Sequence, residues 1–114
     1  MNREIIVWGD HFYTLYNQLD TKVKKKIDYV FWLIRYTEQV PIRFFKFLED
    51  TDGLYEIKVS TTFKEIRILC FFDESKLVVV INWFFKKSKK TPKQEMEPGE
   101  RLKKEYFEFK KRRK

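Results

Sequence analysis

One cysteine, one histidine, three glycines and three prolines occur in 114 residues. A lone cysteine, Cys70, cannot close an internal disulfide, which suits a reducing compartment and argues against a stapled secreted scaffold. There is no Cys/His cluster for a structural zinc site. Gly9, Gly53 and Gly99 stand too far apart to make a phosphate-cradling loop. No Ser/His/Asp signature is present. His11 is the sole histidine and reads as a structural or surface residue, so acid–base chemistry would fall to Lys, Arg, Glu or Tyr. No apolar run approaches the roughly 18 residues of a membrane span. Arg3 and Glu4 occupy a region where a signal peptide would need a long apolar stretch. The expectation is a cytoplasmic protein with no cofactor, no metal and no membrane partner.

What the chain does have is aromatic bulk and lopsided charge. Twelve Phe, 6 Tyr and 3 Trp are enough to fill one core, and the length is that of a single domain, residues 1–114. From Met1 to Phe85 there are 12 Lys+Arg and 12 Asp+Glu. From Lys86 to Lys114 there are 13 against 5, so this stretch carries the whole formal charge of +8. A neutral body with a basic end is suited to an anionic partner, nucleic acid first, because Lys and Arg contacts to phosphate supply most of the affinity there.

Periodicity lays out the elements. Glu4 to Trp8 is short, apolar and β-branched, a strand stopped by Gly9-Asp10. Asp10 can cap a helix to about Leu19, and Asp20 or Thr21 a longer one to about Thr37. In the second helix Val23, Ile27, Val30 and Ile34, widened by Phe31, make the buried stripe. Ile42 to Asp50 reads as a short helix or ordered turn. After Asp52-Gly53 the period becomes 2. Tyr55, Ile57 and Val59 face one way, and Leu54, Glu56 and Lys58 the other. Ile66, Ile68, Cys70 and Phe72 oppose Arg67, Leu69 and Phe71. Leu77 to Phe85 is nearly all apolar, as in a strand covered on both faces. Short turns between these strands predict an antiparallel meander. Thr91 as N-cap, Pro92 and Gln94 start a last helix, which Pro98-Gly99 should interrupt and which should run to about Lys110, docking through Leu102, Tyr106 and Phe109. Lys110 to Lys114 should fray.

The meander brings Glu56, Lys58 and Arg67 together on one side of the sheet, with Lys86, Lys87, Lys89 and Lys90 leaving its last strand. A solvated face with neighbouring ion pairs is the plainer alternative, because charge runs are common.

Three pieces in order carry a resemblance: Gly53-Leu54-Tyr55-Glu56-Ile57-Lys58-Val59, then Ile66 to Asp73, then Phe84-Phe85-Lys86-Lys87-Ser88-Lys89-Lys90-Thr91-Pro92. Over about residues 3 to 106 the chain resembles the RelE/HigB-type toxins of bacterial toxin–antitoxin modules, in particular the phage-derived HigB-like branch. The resemblance implies an α+β domain with two N-terminal helices on an antiparallel or mixed sheet of about four strands, followed by a C-terminal helix. It implies ribosome-dependent cleavage of messenger RNA and a cognate helix-turn-helix antitoxin, with DNA met only through that antitoxin. Arg67 matches the arginine thought to hold the scissile phosphate, Lys58 and Glu56 the basic and acidic positions of the first motif, and Lys86, Lys87 and Lys90 the lysine cluster. Lys89, Lys90, Lys93, Asn82, Tyr55 and Tyr106 are the further candidates for RNA contact. Many relatives have His-Gly where this chain has Asn82-Trp83, and an amide cannot transfer protons as imidazole does. Two other readings remain open: a module that binds RNA or the ribosome without cutting, and an inactivated toxin-like chain that only docks an antitoxin.

Overall fold

The computed structural model describes residues 2–87 and 91–113. The elements run β1 (Glu4–Val7), α1 (His11–Tyr16), α2 (Thr21–Tyr36), β2 (Phe45–Phe47), β3 (Leu54–Ser60), β4 (Glu65–Asp73), β5 (Leu77–Phe85) and α3 (Lys93–Arg112). The fold class is α+β, with a five-stranded mixed sheet in the order β1-β5-β4-β3-β2. The β3–β4–β5 meander is antiparallel, as the short turns predict, and β1 closes the sheet by pairing parallel with β5, Ile5 opposite Val78.

Alternation of side chains gives the sheet two apolar faces. Ile57, Val59, Ile66, Ile68, Cys70, Val78 and Val80 pack against Phe12 and Leu15 of α1 and Ile27, Val30, Phe31 and Ile34 of α2. Each such side chain, fully buried, contributes about 1.5–3 kcal/mol. Leu54, Leu69, Phe71, Val79 and Ile81 face the other way and meet Leu102 and Tyr106 of α3. The sheet is therefore a middle layer between α1/α2 and α3. Asp20 caps α2 by accepting the Val23 amide at 3.0 Å. No helix among the described residues is long and apolar enough to cross a membrane.

Several local expectations are corrected. The segment read as a short helix or turn is a turn at Pro41 to Phe44 followed by the edge strand β2, paired with β3. Helix α1 stops at Tyr16 rather than near Leu19, and Asp10 makes no side-chain cap. Helix α3 begins at Lys93 with Pro92 as N-cap and no side-chain cap, and it runs without a break through Pro98. Packing overrides the local penalty there. A Cβ on Gly99 would stand 3.0 Å from Leu69 Cδ1 and 3.2 Å from both Leu54 Cδ1 and Asn82 Oδ1, so glycine is what lets the helix lie this close to the sheet. Lys110 to Arg112, expected to fray, form the last turn of α3, and Lys110 Nζ pairs with Asp73 Oδ2 at 2.7 Å.

Candidate functional site

Two neighbouring rungs of the sheet build the site on the face that α3 covers. In the first, Lys46 of β2, Glu56 of β3 and Leu69 of β4 stand in register. In the second, Lys58, Arg67 and Phe84 do. Residues paired across antiparallel strands share a face, so Lys46, Glu56, Lys58 and Arg67 converge. Glu56 is 2% exposed and Arg67 is 6% exposed. A carboxylate is held at such depth only by charge and hydrogen bonding. Arg67 Nε stands 3.9 Å from Glu56 Oε1, and the Thr91 hydroxyl donates to Glu56 Oε2 at 2.5 Å. Thr91 thus serves Glu56 rather than the helix cap expected of it.

The guanidinium of Arg67 is only partly engaged. Nη1 donates to the Ile66 carbonyl at 3.2 Å, and Nη2 donates to Glu65 Oε1 at 3.2 Å. Nε is buried and has no hydrogen-bond partner. On the Nε–Nη2 edge, Nε is closed off from solvent beside Glu56 and Nη2 is held by a half-exposed carboxylate, so an oxyanion reaches this edge only by displacing Glu65.

Lys58 is half-buried, and its ammonium is held below its ordinary value of 10.5. Burial is the main cause. Lys46, Arg67 and Lys86 push the same way by repulsion, and Glu56 opposes them. Lys86 follows β5 directly, its amide bonded to the Glu65 carbonyl at 2.7 Å. A cavity of about 320 Å³ opens at the Glu56 side of this cluster, lined by Lys46, Glu56, Lys86, Thr91 and Met96 together with the β2–β3 turn, including exposed Glu49 and Asp50, and not by Lys58 or Arg67.

Lys87 is exposed beside Lys86, and Lys93 is exposed in the first turn of α3. Lys89 and Lys90 lie outside the described residues. Asn82 is 8% exposed and sits under Gly99, its Oδ1 without a hydrogen-bond partner. Tyr55 points to the opposite face of the sheet, stacked on Phe45 at 5.0 Å. Tyr106 is buried and donates to Asp73 Oδ2 at 2.6 Å. Asp73 ends β4 six residues beyond Arg67, or about 20 Å away at the rise of a strand. Neither tyrosine belongs to the cluster, because strand parity removes one and distance the other. Lys46 is the member that sequence reasoning missed. Its signal, a Phe-Lys-Phe alternation, spans only three residues. Burial pushes the Cys70 thiol up, away from nucleophilic use. Among the described residues no group of three or more His, Cys, Asp or Glu is placed to hold a metal ion.

A search of curated proteins found no match. A model of the family described as "Phage derived protein Gp49-like (DUF891)" matches residues 16–104. That span begins at the end of α1, includes α2 and β2 to β5, and reaches Lys104 in α3. It therefore takes in both rungs, Thr91 and Lys86. The chain belongs to the Gp49-like phage-derived family, a family of RelE-like toxins that are associated with toxin–antitoxin modules and imply an antitoxin partner.

Proposed function

We propose that this chain is the endoribonuclease of a toxin–antitoxin module, of the HigB-like kind, cutting messenger RNA on the ribosome. The observation that carries the reading is a buried carboxylate, Glu56, set among Arg67, Lys58, Lys46 and Lys86 on the α3 side of the sheet. In the reaction a ribose 2′-oxygen bonds to the adjacent phosphorus while the bond to the 5′-oxygen breaks. A 2′,3′-cyclic phosphate and a 5′-hydroxyl result. One proton must leave the 2′-OH and another must reach the 5′-oxygen, and this chemistry needs no metal.

Glu56 is the group suited to take the first proton. Lys58, a weaker base than an ordinary lysine, is suited to give up the second. Arg67 presents Nη2 to the phosphate once Glu65 is displaced. Lys46, Lys86 and Lys87 add positive potential where charge develops, and Lys93 extends it along α3. The antitoxin, a helix-turn-helix protein in this reading, supplies any contact with DNA.

The test is induced expression with growth followed, together with primer extension on messenger RNA in a purified translation system. Wild type arrests growth and gives discrete cuts. Arg67→Ala costs about 10²–10³-fold, more than any single Lys→Ala. Arg67→Lys keeps a cation beside Glu56, so the fold survives, but it lacks the planar guanidinium donor and stays inactive. An active Arg67→Lys or Arg67→Ala chain overturns the assignment. A second reading, binding without cutting, is favoured by Asn82, which cannot transfer a proton and lies covered by α3. Ribosome occupancy without cuts is its signature in the same experiment.

A further inference from the structure

A second cavity, of about 610 Å³, opens on the opposite face of the sheet, between the start of α2 and the β3–β4 hairpin. Its charged lining is Lys22, Lys26 and Lys64 against Asp20. Asp20 is already engaged as the α2 cap. Lys26 donates to the Ser60 carbonyl, which fixes its ammonium at the hairpin. Lys64 stands 5.1 Å over the ring of Phe85, itself 36% exposed. At the hairpin tip Phe63 is 92% exposed, and it also lines the cavity.

We propose that this hairpin and cavity seat single-stranded RNA, with Phe63 stacking on a base and Lys22, Lys26 and Lys64 holding flanking phosphates. A fully exposed phenylalanine gains nothing for the fold, and its ring offers a large flat surface. Stacking on such a ring accepts any base, because every base has a π-face. The lysines supply the charge complement. The position is continuous with the first site. Lys58 and Arg67 are paired across the hairpin, Ser60 and Glu65 are the last pair, and the tip begins about 7 Å beyond Arg67 at the rise of a strand. An RNA strand with a phosphate at Arg67 crosses the end of the sheet and reaches Phe63. The identity of the polymer rests on the ribonuclease reading.

The test uses a fluorescein-labelled single-stranded RNA of about 12 nucleotides and the full chain carrying Arg67→Lys, so that the probe stays intact. Binding is followed by anisotropy across a salt series. Phe63→Ala raises Kd by about 5- to 150-fold, the value of one base–aromatic stack, and Phe63→Trp restores binding with quenched indole fluorescence. The Lys22→Ala/Lys26→Ala/Lys64→Ala chain lowers the slope of log Kd against log salt by about 2. Kd values within twofold of the parent for Phe63→Ala and for the triple variant overturn the proposal, as does a wild-type chain that does not bind. The two readings fail separately. Wild type that cuts no messenger RNA while Phe63→Ala still weakens binding sinks the ribonuclease and supports the seat. Discrete cuts with an unchanged Phe63→Ala affinity do the reverse.

Discussion

Thr91 donates its hydroxyl to Oε2 of Glu56 at 2.5 Å, joining positions 35 residues apart. The bond fixes the entry of α3 over the middle of β3 and stabilises a carboxylate that is 2% exposed. Thr91→Val keeps the shape and removes the donor, leaving a buried charged oxygen short of a partner. The expected loss is about 1–3 kcal/mol. Thr91→Ser restores most of it. Urea unfolding of the three chains measures the difference, and equal midpoints for Val and Thr would show that the bond contributes nothing.

Lys58 offers a titration that reads the electrostatics of the cluster directly. Burial first, then Lys46, Arg67 and Lys86, lower its value from 10.5, and Glu56 raises it. The unfolded chain therefore holds this proton at pH values where the folded chain has released it. Stability contributed by this group is present above 10.5 and is lost as pH falls through the folded value. Lys46→Met and Lys86→Met remove repulsion and should each move Lys58 back toward 10.5. Glu56→Gln removes attraction and should move it further down. Carbon NMR of isotope-labelled lysine follows each shift, and an upward move in the Gln variant would contradict the arrangement.

Tyr106 behaves in the opposite sense at the far end of the sheet. Burial, then the hydrogen bond and charge of Asp73, then Glu74, push its hydroxyl far above the ordinary 10.0. The unfolded chain loses this proton first, so the contribution is complete below about pH 10 and is lost as pH climbs toward the folded value. Tyr106→Phe should cost about 1.5–3 kcal/mol at neutral pH, because the acceptor is a charged, buried carboxylate. It should also flatten the alkaline decline in stability. Thermal unfolding between pH 7 and 11 checks both. Because Tyr106 lies with Asp73 and Lys110, Tyr106→Phe should leave messenger RNA cleavage unchanged in a folded sample.

These relationships were legible in the sequence to different degrees. The facing of Ile57, Val59, Ile66 and Ile68 against Leu54, Leu69 and Phe71 follows from a period of 2 and is found as read. Such alternation reports which residues share a face, so Glu56, Lys58 and Arg67 could be grouped in advance. It does not report where an edge strand joins, so Lys46 entered only with the β2–β3 register. The parallel pairing of Ile5 with Val78 has no local signal either. Thr91 and Pro98 mislead for a related reason. Their local chemistry favours a cap and a break, but Glu56 captures the Thr91 hydroxyl and the close seat of Gly99 holds the helix across Pro98.

Glu65 and Arg67 give the most discriminating variant. The Glu65 carboxylate holds Nη2 at 3.2 Å and its side chain is 45% exposed, so as a pair the two contribute at most about 1 kcal/mol to folding. The adjacent Nε has no hydrogen-bond partner. If this edge of the guanidinium meets a phosphate, Glu65 competes with the substrate for Nη2. Glu65→Ala should then leave the unfolding midpoint nearly unchanged, tighten RNA binding by about 2- to 10-fold through the loss of a like charge, and preserve or raise the cleavage rate. Glu56→Gln removes the charge from the proposed base and should abolish cleavage while the chain still binds RNA. A Glu65→Ala chain that folds as wild type but binds RNA more weakly would place the phosphate away from Arg67. In that case Lys46 and Lys86, which line the cavity, become the residues to test next.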